Sequence, residues 1–439
     1  MPLVHPFPDR FLWGAATSAH QVEGGNRAND WWRFEQRPGV IADGARSGDA
    51  CAHWTRYDDD YALAQADGHN AFRLSIEWSR IEPERDHIDE AALAHYEAML
   101  LALRARKLEP VVTLHHFTNP WWIAEAGGWE NHDTIARFEK FVRLCARRFG
   151  GLVDWWCTVN EPEVLAFRAY SQGIWPPGRQ DRSAALVVIA HLLEGHARAY
   201  RALHEEDRAD ADGDGRAVMA GMAKHHVILE PMRGWSPLDR ALQHFEDAVF
   251  NRAVLRAPVT GHVALSIPGA RTVDRRVMGL RDSLDYVGLN YYTRWKVAAG
   301  RSDPHVAAAG APVNDLGWEV YPAGLEQAVL AMREFAKPVV VLENGVADKN
   351  DRLRPRALVQ SLVHLKKAID AGVPVRGYLH WSLLDNFEWS DGWRGRFGLY
   401  SVDFGDPKLP RTRTKSADLF ARIARQNGID RKELTDAGA

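Results

Sequence analysis

Two glutamates stand at the ends of apolar runs, where a carboxylate is costly to place. In WWCTVNEP, Asn160 and Glu161 follow the run and Pro162 stops it; in VVVLENG, Glu343 ends the run and Asn344–Gly345 turns the chain. A carboxylate that closes a buried strand pays a desolvation penalty unless hydrogen bonds or a cation offset it. Two such carboxyls brought together, one protonated and one ionised, suit acid/base and nucleophilic chemistry at an acetal carbon. Two unrelated, ion-paired structural glutamates would give the same pattern. The residues alone leave both readings open.

Other chemistries find less support. His115–His116 and His225–His226 are adjacent pairs whose side chains point to opposite faces of a strand, and each histidine reads as core or hydrogen-bonding. There is no HExxH and no Cys/His cluster, so no metal is expected. No GxSxG elbow, P-loop or GxGxxG follows a strand. With 55 basic against 58 acidic residues the net charge is −3, which gives no general reason to bind nucleic acid or an anionic membrane. Cys51, Cys145 and Cys157 lack CxxC spacing and read as reduced apolar residues. The opening MPLVHPFPDRFLWG has no signal-peptide pattern, and no stretch approaches the ~18 apolar residues of a membrane span. A soluble, cytoplasmic protein is expected. Its oddity is 17 Trp against 16 Phe and 11 Tyr.

The glutamates need elements to hold them. Strand-like runs recur at 11–22, 71–81, 109–116, 153–160, 217–229, 284–293, 338–342 and 375–384. Helical patterns lie between them, as at 89–107 and 133–150, with apolar residues three and four apart. Runs such as PVVVLE are almost continuously apolar, as parallel strands buried on both faces should be. Eight β-then-α units argue for an α/β fold of the (β/α)8 TIM-barrel type, with a doubly wound sheet as the competing arrangement. The chain reads as one catalytic domain over 1–439, with its core at about 8–425 and its active site at the C-terminal ends of the strands. Segments 205–216 and 300–315 look like excursions. The first carries Asp210, Asp212 and Asp214 as a calcium loop does, but the twelfth position is Gly221, so it reads as a solvated loop. The polar tail after Asn427 is expected to fray.

The motifs FLWGAATSAHQVEG (11–24), FRLSIEWSRIEP (72–83), VTLHHFTNPWW (112–122), CTVNEP (157–162), DYVGLNYYT (285–293), VLENG (341–345) and WSLLDNFEWSDGWRGRFGLYSVDF (381–404) occur in that order. Together they resemble glycoside hydrolase family 1, the retaining β-glucosidases and related β-glycosidases, over about nine-tenths of the chain. The resemblance implies a (β/α)8 barrel that works without metal or organic cofactor on a small β-glycoside or oligosaccharide. It implies Glu161 as acid/base and Glu343 as nucleophile, with Arg73 and Tyr292 supporting the nucleophile. The bland alternative for Arg73 is a structural ion pair. Gln21, His116, Asn160, Glu388 and Trp389 would bind the sugar, with Trp381 beneath its ring and Trp318 on the aglycone side. Trp121, Trp122 and Trp175 are expected to line the barrel mouth, and the other eleven, Trp13, Trp155 and Trp156 among them, to pack.

The activity so implied is β-glucosidase-like: exo-hydrolysis of terminal glucosides, with galactosides and fucosides also in range. Members that take 6-phosphorylated sugars usually have Ser where this chain has Glu388, and a carboxylate would repel phosphate. Leu342, Phe117 and Ser75–Ile76–Glu77 depart from the common pattern and lean towards the archaeal-like branch, while Glu161 excludes a thioglucosidase of the plant type. A transglycosidase would use the same residues. A sugar-binding barrel without chemistry is the alternative from another class.

Overall fold

Apolar, β-branched runs that a half-buried sheet could not accommodate form the eight strands of a closed parallel barrel. In chain order they are β1 Leu12–Ala16, β2 Ala71–Ser75, β3 Glu109–Thr113, β4 Trp155–Asn160, β5 Met219–Pro231, β6 Tyr286–Val297, β7 Val339–Asn344 and β8 Val375–Trp381. Each pairs in parallel with the next, and β8 pairs with β1, closing the ring. A (β/α)8 TIM barrel is therefore the fold. The computed structural model describes residues 3–301 and 304–437.

A long helix follows each strand and covers the outside of the barrel. Glu90–Ala105 starts at Asp89, whose carboxylate accepts from the N–H groups of Ala91 and Ala92 at 2.9 and 3.0 Å. Asp133–Phe149 buries Ile135, Phe138, Phe141, Val142, Cys145 and Phe149 along one face, the three- and four-residue spacing that the sequence displays. Among the described residues, no helix is long and apolar enough to cross a membrane.

Several apolar runs outlast their strands. The run 71–81 leaves the sheet at Ser75 and turns into the helix Trp78–Ile81; 11–22 leaves at Ala16; 109–116 leaves at Thr113; 375–384 leaves at Trp381. Ile76, Trp78 and Ile81 stay buried nonetheless. Loops folded over the strand ends bury these residues as fully as the sheet does, so hydrophobicity does not mark where pairing stops. Conversely, β7 continues through Glu343 to Asn344, beyond the end expected at 342.

Two expectations at the periphery are corrected. Through Ala437 the tail after Asn427 is built into the fold: Gly428–Asp430 pairs antiparallel with Leu3–Pro6, Ile429 is fully buried and Arg431–Ala437 is helical. Pairing supplies the backbone partners that polarity alone does not reveal. The excursion expected from 205 begins at 207, because the helix Arg182–Glu206 runs on to Glu206. Within it Asp210 accepts from the N–H groups of Gly213, Asp214 and Gly215, so its carboxylate folds its own loop. In the 300–315 excursion, His305–Val306 extends the sheet beside β6, and 302–303 lie outside the described residues.

Candidate active site

At the C-terminal ends of the strands a cavity of about 640 Å³ opens, lined among others by His116, Glu161, Tyr292, Trp318, Glu343, Trp381, Glu388 and Trp389. All eight come from the residues singled out in the sequence. Gln21, Arg73 and Asn160 lie fully buried behind them. The barrel thus converges residues from seven of its strands or the loops that follow them.

The two carboxyls are joined by one chain of hydrogen bonds. A guanidinium nitrogen of Arg73 contacts Glu343 Oε1, and the Tyr292 hydroxyl donates to Glu343 Oε2 at 2.6 Å. The other arm of Arg73 donates to Asn160 Oδ1 at 2.7 Å. Asn290 Nδ2 donates to that same oxygen at 3.1 Å and to Glu161 Oε1 at 2.7 Å. Arg73 Nε is held in turn by Thr113 Oγ1 at 3.0 Å. Arg73 is wholly buried on β2, which no solvated cation would be, and Glu343 is the charge that compensates it.

Local backbone explains how each acid is aimed. Glu161 sits between the last strand residue of β4 and the helix Pro162–Ala166 with φ of 44°, a left-handed conformation uncommon for a residue with Cβ. Its N–H still pairs with Ala223 O on β5 at 2.8 Å, so the turn is fixed by the neighbouring strand. Phe117 (φ 71°) and Trp389 (φ 49°) also line the cavity in left-handed conformations, and such strain gathers at functional sites. After Glu343 the chain turns at Gly345, where a Cβ would lie 1.9 Å from Trp381 O. Only glycine lets β7 and β8 approach this closely at their ends.

Burial pushes both acids towards the protonated form, and each disfavours the charge on the other. At Glu343, burial and the neighbouring Glu161 outweigh the opposing pull of Arg73 and Tyr292, and the carboxyl is raised above its ordinary range. At Glu161, burial is overcome by His225, Asn290 and Lys224, and the carboxyl is held low. Arg73, charged at every relevant pH, forms its ion pair with Glu343, which favours the anion on that carboxyl.

Around them lies a polar and aromatic rim. Gln21 Nε2 donates to Asn386 Oδ1 at 2.8 Å, Phe387 O at 2.9 Å and Glu388 Oε2 at 3.3 Å. Asn160 Nδ2 lies 3.3 Å from His116 Nε2, and the His116 ring stacks on Trp381 with centroids 5.9 Å apart. Burial, with Asp391 and Glu343 nearby, pushes Glu388 well above the usual carboxylate range.

The tryptophans divide differently from expectation. Trp175 lines the cavity as expected, but Trp121 and Trp122 do not. Trp122 donates to Glu82 O at 2.9 Å and meets Trp78, and Trp121 lies beneath Arg33. The helix Trp121–Glu125 that carries them buries Ile123 and leaves both indoles partly exposed. Trp295, expected to pack, lines the cavity, and Trp235 is 80% exposed.

Two neighbours of Glu161 escape a reading of the sequence by motifs. Asn290 lies inside the GLNYYT run, and its place between Asn160 and Glu161 depends on β4 and β6 flanking β5. His225 Nδ1 is 3.2 Å from Glu161 Oε1 and stacks on Tyr292 with centroids 5.8 Å apart. The adjacent pair His225–His226 hinted that one member faces inward, but not which.

Comparison with known proteins accords with this geometry. The family model described as glycosyl hydrolase family 1 matches residues 3–429. A β-galactosidase of Pyrococcus woesei is 30% identical, covering 97% of this chain and 98% of its own length. Beta-glucosidase A of Thermotoga maritima is also 30% identical, covering 97% and 99%. The solved structure of a β-glycosidase from Pyrococcus horikoshii superposes with a TM-score of 0.89 at 35% identity, covering 100% of this chain and 99% of that one.

Proposed function

Since the chain belongs to glycosyl hydrolase family 1 and is a β-glycosidase of that retaining family, we propose that it removes terminal non-reducing β-linked sugars with Glu343 as nucleophile and Glu161 as acid/base. The observation that carries this reading is the chain Glu343–Arg73–Asn160–Asn290–Glu161, which fixes the two carboxyls relative to one another through buried side chains.

The carboxylate of Glu343 attacks the anomeric carbon while the Glu161 proton passes to the leaving oxygen, so the glycosidic bond breaks as the ester bond forms. Glu161, now ionised, takes a proton from water; the hydroxide adds to the anomeric carbon and Glu343 leaves as carboxylate. Arg73 and Tyr292 stabilise the charge that returns to Glu343. Asn160 offers its amide to the 2-hydroxyl, where contacts strengthen in the transition state. Gln21, His116, Glu388 and Trp389 meet the remaining hydroxyls, and Trp381 presents an indole face to the C–H side of the ring. Trp318, against Tyr292 and Phe397, stands on the aglycone side.

The preferred glycone is a non-phosphorylated glucoside, with galactoside and fucoside also accepted. Proton NMR of the first-formed sugar should show retained β configuration. Glu343→Ala should abolish turnover of an aryl β-glucoside, and azide should restore it to Glu161→Ala as the β-glucosyl azide. Wild-type-like activity in Glu343→Ala would overturn the assignment. A panel of aryl β-glucoside, galactoside, fucoside, mannoside and xyloside ranks the glycones, and preference for a 6-phosphate would refute the reading of Glu388.

A further inference from the structure

The strand that leads to the acid/base ends one residue before it. The last partners of β4 and β5 are Asn160 and Ala223, and the N–H of Glu161 still reaches Ala223 O at 2.8 Å. From there the chain leaves the sheet for the helix Pro162–Ala166, and strand pairing no longer holds it. Along a strand the backbone groups of residues two apart face the same neighbour. β5 therefore presents the N–H of His225 to the place that β4 has left.

The carboxylate of Glu163 fills that place. Its Oε1 accepts from His225 N–H at 3.0 Å and from Lys224 Nζ at 2.8 Å, and the side chains of Glu163 and Lys224 are fully buried. Lys224 also lies over the Phe250 ring, 4.7 Å from its centroid, which closes the other side of the pair. The His225 ring in turn sets Nδ1 3.2 Å from Glu161 Oε1. Glu161 and Glu163 are thus held to β5 by a backbone bond, by a carboxylate on a backbone N–H and by an imidazole on the acid itself.

Stability does not account for this pair, because apolar residues of the same volume can replace a buried ion pair at little cost. What an apolar pair cannot supply is the acceptor for His225 N–H. Glu161 needs such support, since its φ of 44° persists only where the surroundings over-determine it. We propose that Glu163 is a positioning residue for the acid/base. With Lys224 as its compensating charge, it fixes Glu161 and His225 against β5 so that the acid proton meets the leaving oxygen. This rests on the reading of Glu161 as acid/base and deepens it.

Leaving-group dependence tests the role, because dinitrophenolate departs without a proton whereas an alkoxide needs one. The measurement is kcat/KM for dinitrophenyl β-glucoside and methyl β-glucoside in two double variants, Glu163→Leu/Lys224→Met and Glu163→Gln/Lys224→Met, each verified as folded by its melting curve. Neither leaves a buried charge unpaired, and only Glu163→Gln keeps an acceptor for His225 N–H. The first variant should lose about 10²-fold on the methyl glucoside, the scale of a misplaced reacting group, and no more than about twofold on the dinitrophenyl glucoside. The second should keep the wild-type ratio. Equal losses on both substrates, no loss on either, or a methyl-glucoside defect in the second variant would overturn the inference. Glu161→Ala is the control and should lose the methyl glucoside while retaining the dinitrophenyl one. Without that discrimination the acid/base reading itself falls; with it, a first variant that does not discriminate removes only the positioning role.

Discussion

The guanidinium of Arg73 donates to the amide oxygen of Asn160 at 2.7 Å while its other arm holds Glu343. One buried cation on β2 thus ties the end of β7 to the end of β4. It does two separable things: it opposes protonation of Glu343, and it aligns Asn160, to which Asn290 and hence Glu161 are linked.

Removing the charge should expose the first role. In Arg73→Met, Glu343 loses the group that holds it down, so its carboxyl rises further and the acid limb of the pH–rate profile moves to higher pH. kcat/KM should fall by on the order of 10²–10³, as for loss of an electrostatic stabiliser. In Arg73→Lys the limb should stay near its wild-type position while kcat drops, because one ammonium cannot reach both partners as a fork does. An unmoved acid limb in Arg73→Met would contradict the role.

His225 acts on the other acid. It favours ionised Glu161, both as a charge and as an N–H donor, so His225→Asn should raise the Glu161 carboxyl and carry the basic limb to higher pH. The profile of kcat/KM for an aryl β-glucoside measures this directly. A shift to lower pH would reverse the proposed sign.

Behind Glu161 lies a fully buried ion pair, Lys224 Nζ to Glu163 Oε1 at 2.8 Å, with both side chains at 0% exposure. Lys224→Met leaves Glu163 uncompensated and should cost about 3–5 kcal/mol. Adding Glu163→Leu should restore most of it, since two apolar groups can replace a buried pair at little cost. Urea unfolding of the four members of this cycle reads the coupling. Additive losses would show that the pair is not coupled.

Among the tryptophans that pack, Trp13 is the clearest test. On β1 it meets Phe7, Phe11, Tyr378 and Phe420, and its indole N–H donates to Asn427 Oδ1 at 2.9 Å. Trp13→Ala should destabilise by about 3–5 kcal/mol, while KM for a glucoside stays unchanged at a temperature where the variant is folded. A changed KM at full stability would place Trp13 in the site instead.

Much of this was legible in the residues. Eight apolar runs with intervening helical spacing imply the barrel, because parallel strands buried on both faces must be apolar throughout. Glu161 and Glu343 stand out because a carboxylate interrupts such a run. Strand ends were not legible: Ile76 and Trp78, beyond the end of their strand, are as buried as strand residues are in the sheet. The surroundings of Glu388 were not legible for a related reason, since Gln21, Glu343 and Trp381 come from segments far apart in the chain.

By itself, then, the sequence determined which residues could do chemistry and which periodic elements must carry them, because these follow from side-chain type and local spacing. Only the tertiary structure decided what each reactive group touches. Arg73, Asn160, Asn290 and Glu343 stand on four different strands, and their contacts exist only once the sheet closes into a ring. The same closure turned His225 and Trp295 inward and left Trp121 and Trp122 outside, because orientation towards a barrel axis is set by register between strands rather than by any residue alone.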